Sequence, residues 1–218
     1  MAVSYSGIEM YNTCPSSFDR KYNKQEPVMH PPTPETAPAM FRGTKLHGAI
    51  EDLLNEKRND LPKELSKYTQ FCIGLRTQGA VAECDFAFNA EWESVDFEDP
   101  TAEVRGFMDC KLVTENDFVI YEWKTGKKYY SHANQRSLYG LAGLILHPEH
   151  QKVRVITTYL DQGENDQVVY HAEMLSTYKW VWSRYINKTK PPQPYPMRPT
   201  WKCKFCNYSK RSGGKCPN

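Results

Sequence analysis

The sequence predicts a mixed α/β fold on three observations. Amphipathic helical segments and strands follow one another in the order helix, strands, helix, strands, helix; the central hairpin carries acids inside apolar runs; and a proline-dense tether ends in a cysteine-bearing tail. A chain of 218 residues, 39% of them hydrophobic, can bury one substantial core, so a single domain over 1–218 is expected.

Taken in order, Ser6 to Glu9 has the S-x-x-E form of a capping box, which predicts a short helix from Ser6 to about Cys14-Pro15. The stretch from Pro27 to Pro38 also holds Pro31, Pro32 and Pro34 and shows little apolar periodicity, so it reads as a loop. From Gly43 onward Leu46, Ile50, Leu53 and Leu54 recur at helical spacing, with His47 and Glu51 on a neighbouring stripe; a second helix is predicted over 63–76. Residues 80–97 alternate well enough for two strands around Asn89-Ala90.

EVRGFMDCKLV and FVIYEWK, separated by Thr114-Glu115-Asn116-Asp117, form an antiparallel hairpin. By the two-residue period Asp109 shares a face with Phe107 and Lys111, and Glu122 with Ile120 and Lys124. Residues 132–146 are helical, with Leu138, Leu141, Ala142 and Ile145 inward and Gln135 one turn from Tyr139. A second hairpin turns over Gln162 to Asp166, and LSTYKWVWSRYIN is the last helix. Pro191, Pro192, Pro194, Pro196 and Pro199 make a semi-rigid tether to a tail too short for its own core.

The 28 basic and 26 acidic side chains nearly balance, so the net charge of +2 neither demands nor excludes nucleic acid, and local clusters must decide. No apolar run is long enough to span a membrane and the start lacks the pattern of a signal peptide, so an intracellular, cytoplasmic protein without a membrane partner is expected. Seven cysteines in a reducing compartment favour buried thiols or metal ligands over disulfides.

Val119, Ile120, Tyr121 and Trp123 belong in a core, where an ionised Glu122 and Lys124 are costly unless paired or bound to metal. Asp109 and Glu122 offer one carboxylate from each of two adjacent strands, a donor set for a hard cation such as Mg2+ or Mn2+, with Lys124 placed to serve an attacking water or offset charge on a phosphate. Cross-strand ion pairs with Lys111 and Lys124 account for the same residues without any chemistry.

With its surroundings, this constellation resembles the PD-(D/E)xK nucleases, within them the RecB-like branch of CRISPR-associated and recombination exonucleases. The matching pieces in order are GTKLHGAIE with His47, GFMDC with Asp109, YEWK with Glu122 and Lys124, and QRSLY with Gln135 and Tyr139. The resemblance implies a restriction-endonuclease-like central sheet flanked by helices. It implies metal ligation by His47, Asp109, Glu122 and the backbone carbonyl of Trp123, a water-handling Lys124, and DNA positioning by Gln135 and Tyr139. Glu83 stands where relatives carry an acid that touches the metal, and reads equally as a solvated strand charge. The activity implied is a Mg2+- or Mn2+-dependent deoxyribonuclease, an exonuclease on single strands or DNA ends in recombination, repair or CRISPR adaptation; a catalytically silent DNA-binding adaptor of the same fold is the alternative.

Cys203, Cys206 and Cys216 form C-x2-C-x9-C, half or more of a zinc or iron-sulfur site. In the iron-sulfur members of the same branch one N-terminal and three C-terminal cysteines hold a 4Fe-4S cluster, which implies Cys14 as fourth ligand and a metal subregion of 1–22 plus 200–218. Zinc on the same thiolates is the alternative, and the long last spacer departs from the family pattern, although Gly213-Gly214 lets it fold back. Cys72, Cys84 and Cys110 read as core thiols. Lys127, Lys128, Tyr129 and Tyr130, with Lys202, Lys204, Phe205, Tyr208, Lys210, Arg211 and Lys215 of the tail, interleave charge and rings as a single strand of DNA requires.

Overall fold

The computed structural model describes residues 1–191 and 194–216; Pro192 of the tether lies outside them. Strand β3 (Phe118–Lys124) is the centre of the molecule because its sequence is apolar on both faces, and every residue but the last is buried. Around it the sheet runs β1-β2-β3-β4-β5, with β1 (Val81–Phe88), β2 (Val104–Val113), β4 (Lys152–Tyr159) and β5 (Glu164–His171). Only the β3–β4 step is parallel, and helix α5 (Ser131–Leu146) supplies its crossover.

Earlier in the chain come α1 (Tyr5–Thr13), α2 (Pro15–Phe18), α3 (Pro38–Leu54) and α4 (Thr69–Thr77); α6 (Leu175–Thr189) follows the sheet. Two cores sandwich the sheet. Phe118 and Ile120 join Leu138, Leu141, Trp182 and Ile8 on the side of α5, α6 and α1. Val119, Tyr121 and Trp123 join Leu46, Ile50, Leu53 and Leu75 on the side of α3 and α4. No described helix is long and apolar enough to cross a membrane.

Three expectations are corrected. The N-cap of α1 is Ser4, whose hydroxyl accepts from the Gly7 N–H at 3.2 Å, so the capping pattern at Ser6 to Glu9 is not the one used. Helix α3 starts at Pro38, five residues before Gly43, because a proline is favourable in the first helical turn, where its missing N–H costs nothing. Residues 80–97 hold one strand and not two: the Asn89 side-chain oxygen accepts from the N–H groups of Glu91 (3.1 Å) and Glu93 (2.9 Å), closing a turn after which the segment meets β1 in an isolated bridge from Phe88 to Ser94.

The regular alternation also fails at one place. On β1 and β2, Cys84 and Met108 belong to the α5-side core while Ala82 and Cys110 belong to the α3-side core, so residues two apart end on opposite faces. Between them Glu83 and Asp109 drop out of the ladder, which pairs Ala82 with Cys110 and Cys84 with Met108, and Glu83 takes a left-handed φ of 48°. A side chain with that φ is strained, and such strain collects at functional positions. Asp109 therefore does not simply share a face with Phe107 and Lys111.

The β2–β3 ladder stops at Cys110 opposite Tyr121, and Val3 takes the vacated side of β2, donating to the Glu103 carbonyl at 2.8 Å and accepting from the Arg105 N–H at 3.1 Å. On the far side of the sheet α5 lies against Tyr170, and a Cβ at Gly140 would come within 2.2 Å of that ring. Gly140→Ala is expected to destabilise the protein by about 1–3 kcal/mol in urea titration. Gly74→Ala, where a Cβ meets nothing within 4 Å, is expected to be neutral or stabilising by up to about 1 kcal/mol.

Candidate active site

The acids predicted from the sequence meet where β2 and β3 part. In place of the next rung, the Trp123 N–H donates to Asp109 Oδ2 at 2.6 Å. The N–H and C=O of one residue in an extended strand point to the same side, so the Trp123 carbonyl faces this gap too. The other oxygen of Asp109 lies 3.4 Å from His47 Nδ1, brought in by α3.

Glu122 is only 3% exposed. Its Oε1 accepts from Lys124 Nζ at 2.5 Å and from Gln135 Nε2 at 2.9 Å, while Oε2 is buried without any partner. The amide of Gln135 also donates to the Tyr139 hydroxyl at 2.8 Å. Tyr139, expected at the DNA, is buried, and it reaches the site by holding Gln135. Thus α3 on one face and α5 on the other reach the same acids, which is possible only because the sheet opens between them.

The charges sense one another. Burial, reinforced by the Asp109 charge, pushes the Glu122 carboxyl above its usual range, against the pull of Lys124 and His47. For Lys124 burial works downward, but Glu122 and Asp109 outweigh it and hold the ammonium protonated. For His47 burial also works downward, and its contact with Asp109 wins, so the imidazole is raised. Glu83 is raised by burial and then by the charges of Asp109 and Glu51. Glu83 therefore borders the site, and Glu51, on the His47 stripe of α3, forms no ion pair within 4.0 Å among the described residues.

The expected ligand set is assembled but not closed: among the described residues no three His, Cys, Asp or Glu side chains surround a single point. The two carboxylates are held by different partners: the Lys124 ammonium lies on Glu122 at 2.5 Å, and His47 lies 3.4 Å from Asp109. The donors fit a hard cation nonetheless. Carboxylate oxygens, an imidazole and a carbonyl are the groups Mg2+ and Mn2+ accept, and the orphaned Glu122 Oε2 is an acceptor that no group among the described residues satisfies.

Past the C-terminal end of α1, Cys14, Cys203, Cys206 and Cys216 line one cavity of about 570 Å³. All four are free thiols that do not converge on a single point, so the four-cysteine site is also open. Instead the thiols have small partners: Ser17 Oγ lies 3.6 Å from Cys206, the Thr200 N–H donates to Cys203 at 3.3 Å, and Met197 Sδ lies 3.7 Å from Cys216. The long spacer does fold back: Gly213 has a φ of 72° and the Cys216 N–H donates to the Tyr208 carbonyl at 3.0 Å. Arg198 donates to the Asn12 carbonyl at 3.0 Å, tying the tail to α1. Cys72, Cys84 and Cys110 are buried core thiols, as expected.

Of the expected DNA contacts, Tyr129 and Tyr130 are 60% and 100% exposed beside Lys127, whereas Lys128 is held by Asp166 at 2.5 Å. In the tail Phe205 is 68% exposed under Lys204, while Tyr208 is buried and presents no ring to solvent. Trp201, 70% exposed and sharing Lys204 with Phe205, escaped notice in the sequence although the alternation in WKCKF marks it.

The chain is similar to solved structures. One is the crystal structure of SSO0001, 15% identical, with a TM-score of 0.54 over 99% of this chain and 86% of that one. Another is a candidate exonuclease from Eubacterium rectale, 13% identical, with a TM-score of 0.49 over 90% of this chain and 84% of that one. No curated protein matches it. The likeness to SSO0001 shows a shared fold. A family model, that of the PD-(D/E)XK nuclease superfamily, matches residues 2–211, nearly the whole chain and every element that builds the site. The chain belongs to the PD-(D/E)XK nuclease superfamily.

Proposed function

We propose that this nuclease is a Mg2+- or Mn2+-dependent deoxyribonuclease that works as an exonuclease on single-stranded DNA or DNA ends, in recombination, repair or CRISPR adaptation. The observation that carries the metal is the buried, unpartnered Oε2 of Glu122 beside Asp109 and His47. His47, Asp109, Glu122 and the Trp123 carbonyl would hold the ion, with Glu83 at its margin. When bound, the cation polarises the scissile phosphate and acidifies a water.

The remaining work falls to the chain. Lys124, whose ammonium lies on Glu122 Oε1, would hold the attacking water and offset charge on the phosphate. Gln135, braced by Tyr139, fixes the Glu122 rotamer. A single strand is favoured as substrate because Tyr129 and Tyr130 stand exposed next to Lys127: unpaired bases stack on rings, and phosphates pair with lysine. The four cysteines are proposed to hold a 4Fe-4S cluster, with zinc as the alternative; their shared cavity and the donor chemistry support a metal group there.

Glu122→Ala and Lys124→Ala are expected to abolish Mg2+- or Mn2+-dependent release of label from end-labelled oligonucleotides while leaving circular dichroism unchanged. Full activity in both folded variants would contradict the site, and tight DNA binding without cleavage in the wild type would make the protein a silent adaptor. For the tail, protein purified without oxygen is expected to be brown, with broad absorbance near ~400 nm. A colourless protein with stoichiometric zinc would assign the thiols to zinc.

A further inference from the structure

The loop that leaves the catalytic strand is held by a residue far along the chain. Asp161, in the turn between β4 and β5, accepts from the Gly126 N–H at 2.7 Å, two residues after Lys124. Its neighbour Gln162 donates to the Gly126 carbonyl at 2.8 Å, so both backbone groups of that residue are fixed. Gly126 has a φ of 80°, a conformation that glycine adopts without strain.

The same Asp161 carboxylate takes a two-pronged contact from Arg42 of α3, at 2.7 and 3.1 Å. Arg42 precedes His47 by five residues on that helix, about 7.5 Å along its axis. The two segments also touch directly, since a Cβ on Gly43 would lie 3.1 Å from Thr125 Oγ1. Glu64 takes the remaining face of Arg42, through Nε at 3.0 Å.

We propose that Asp161 is a positioning residue of the active site: by joining Arg42 of the His47 helix to Gly126 of the loop after Lys124, it fixes how far His47 stands from Asp109, Glu122 and Lys124. The Arg42 and Asp161 side chains are 42% and 32% exposed, and ion pairs that wet add little to stability. The link therefore acts through geometry. His47 comes from the opposite side of the sheet to Glu122, and no continuous ladder crosses the gap between β2 and β3 at the site, so the separation of the donors needs a tie outside it.

The inference rests on the nuclease reading, and the test separates the two. Metal-free wild type, Asp161→Ala, Arg42→Gln and Glu64→Ala are titrated with Mn2+, free ion being counted by electron paramagnetic resonance, and each is assayed for DNA cleavage and thermal unfolding. Asp161→Ala is expected to bind Mn2+ about 10- to 100-fold more weakly, as loss of a residue that orients metal ligands does, with its thermal midpoint nearly unchanged. Arg42→Gln, which breaks the link from the helix side, is expected to reproduce the loss, and Glu64→Ala to behave as wild type. Wild-type Mn2+ affinity in Asp161→Ala and Arg42→Gln, or cleavage that falls only in step with thermal stability, overturns the proposal. A wild type that neither binds Mn2+ nor cleaves DNA overturns the nuclease reading and this inference with it.

Discussion

Everything at this site follows from putting the Glu122 carboxylate inside the protein. An ionised carboxylate out of water costs several kcal/mol, and the structure meets that cost with one ammonium and one amide on a single oxygen while leaving the other oxygen bare. Asp109 nearby makes the cost larger. A protein built only for stability would place a hydrophobic residue at this position of β3, whose neighbours Tyr121 and Trp123 are both buried. On the proposed reading, the unsatisfied oxygen marks a ligand supplied from outside the chain.

That demand shapes the surrounding fold. To let donors arrive from both faces, the sheet gives up rungs at Asp109 and Glu122, and the alternation of β1 and β2 slips at Glu83. The lost pairing is made good locally: Asp109 takes the Trp123 N–H, and Val3 covers the open side of β2. Rigidity around the gap comes from elements that are themselves well packed, α3 through Leu46 and Ile50, and α5 through Leu138 and Leu141. Lys124, half-buried at the end of β3, keeps its ammonium on the buried Glu122.

The parts of this arrangement that depend on short-range pattern were legible in the sequence. Two-residue periodicity and apolar neighbours picked out Asp109, Glu122 and Lys124, and helical spacing put Gln135 under Tyr139. His47 was legible only from its order among the other motifs, since a lone helical histidine has no signature. What depends on pairing between distant strands was not legible: the slip at Glu83 places Asp109 off the face its neighbours predict, and no local pattern encodes it. The turn at Asn89 fell where alternation put it, but the second strand beyond it did not form, because the Asn89 side chain takes the Glu91 and Glu93 N–H groups, a competition between backbone and side-chain hydrogen bonds that alternation alone cannot reveal. The link from Arg42 to Asp161 spans 119 positions and has no sequence pattern at all. Exposure was the other blind spot: Tyr139, read as positioning DNA, and Tyr208, read among the rings of the tail, are buried, whereas Trp201 stands in solvent.

Diffraction from crystals soaked in Mn2+, recorded to locate the ion by its anomalous scattering, bears most directly on the claim that the bare oxygen of Glu122 awaits a cation. The account predicts one peak bounded by Asp109, Glu122 and His47, with Lys124 Nζ drawn off Glu122 Oε1. A peak elsewhere, or an intact Lys124–Glu122 pair with no ion beside it in saturating Mn2+, would contradict it.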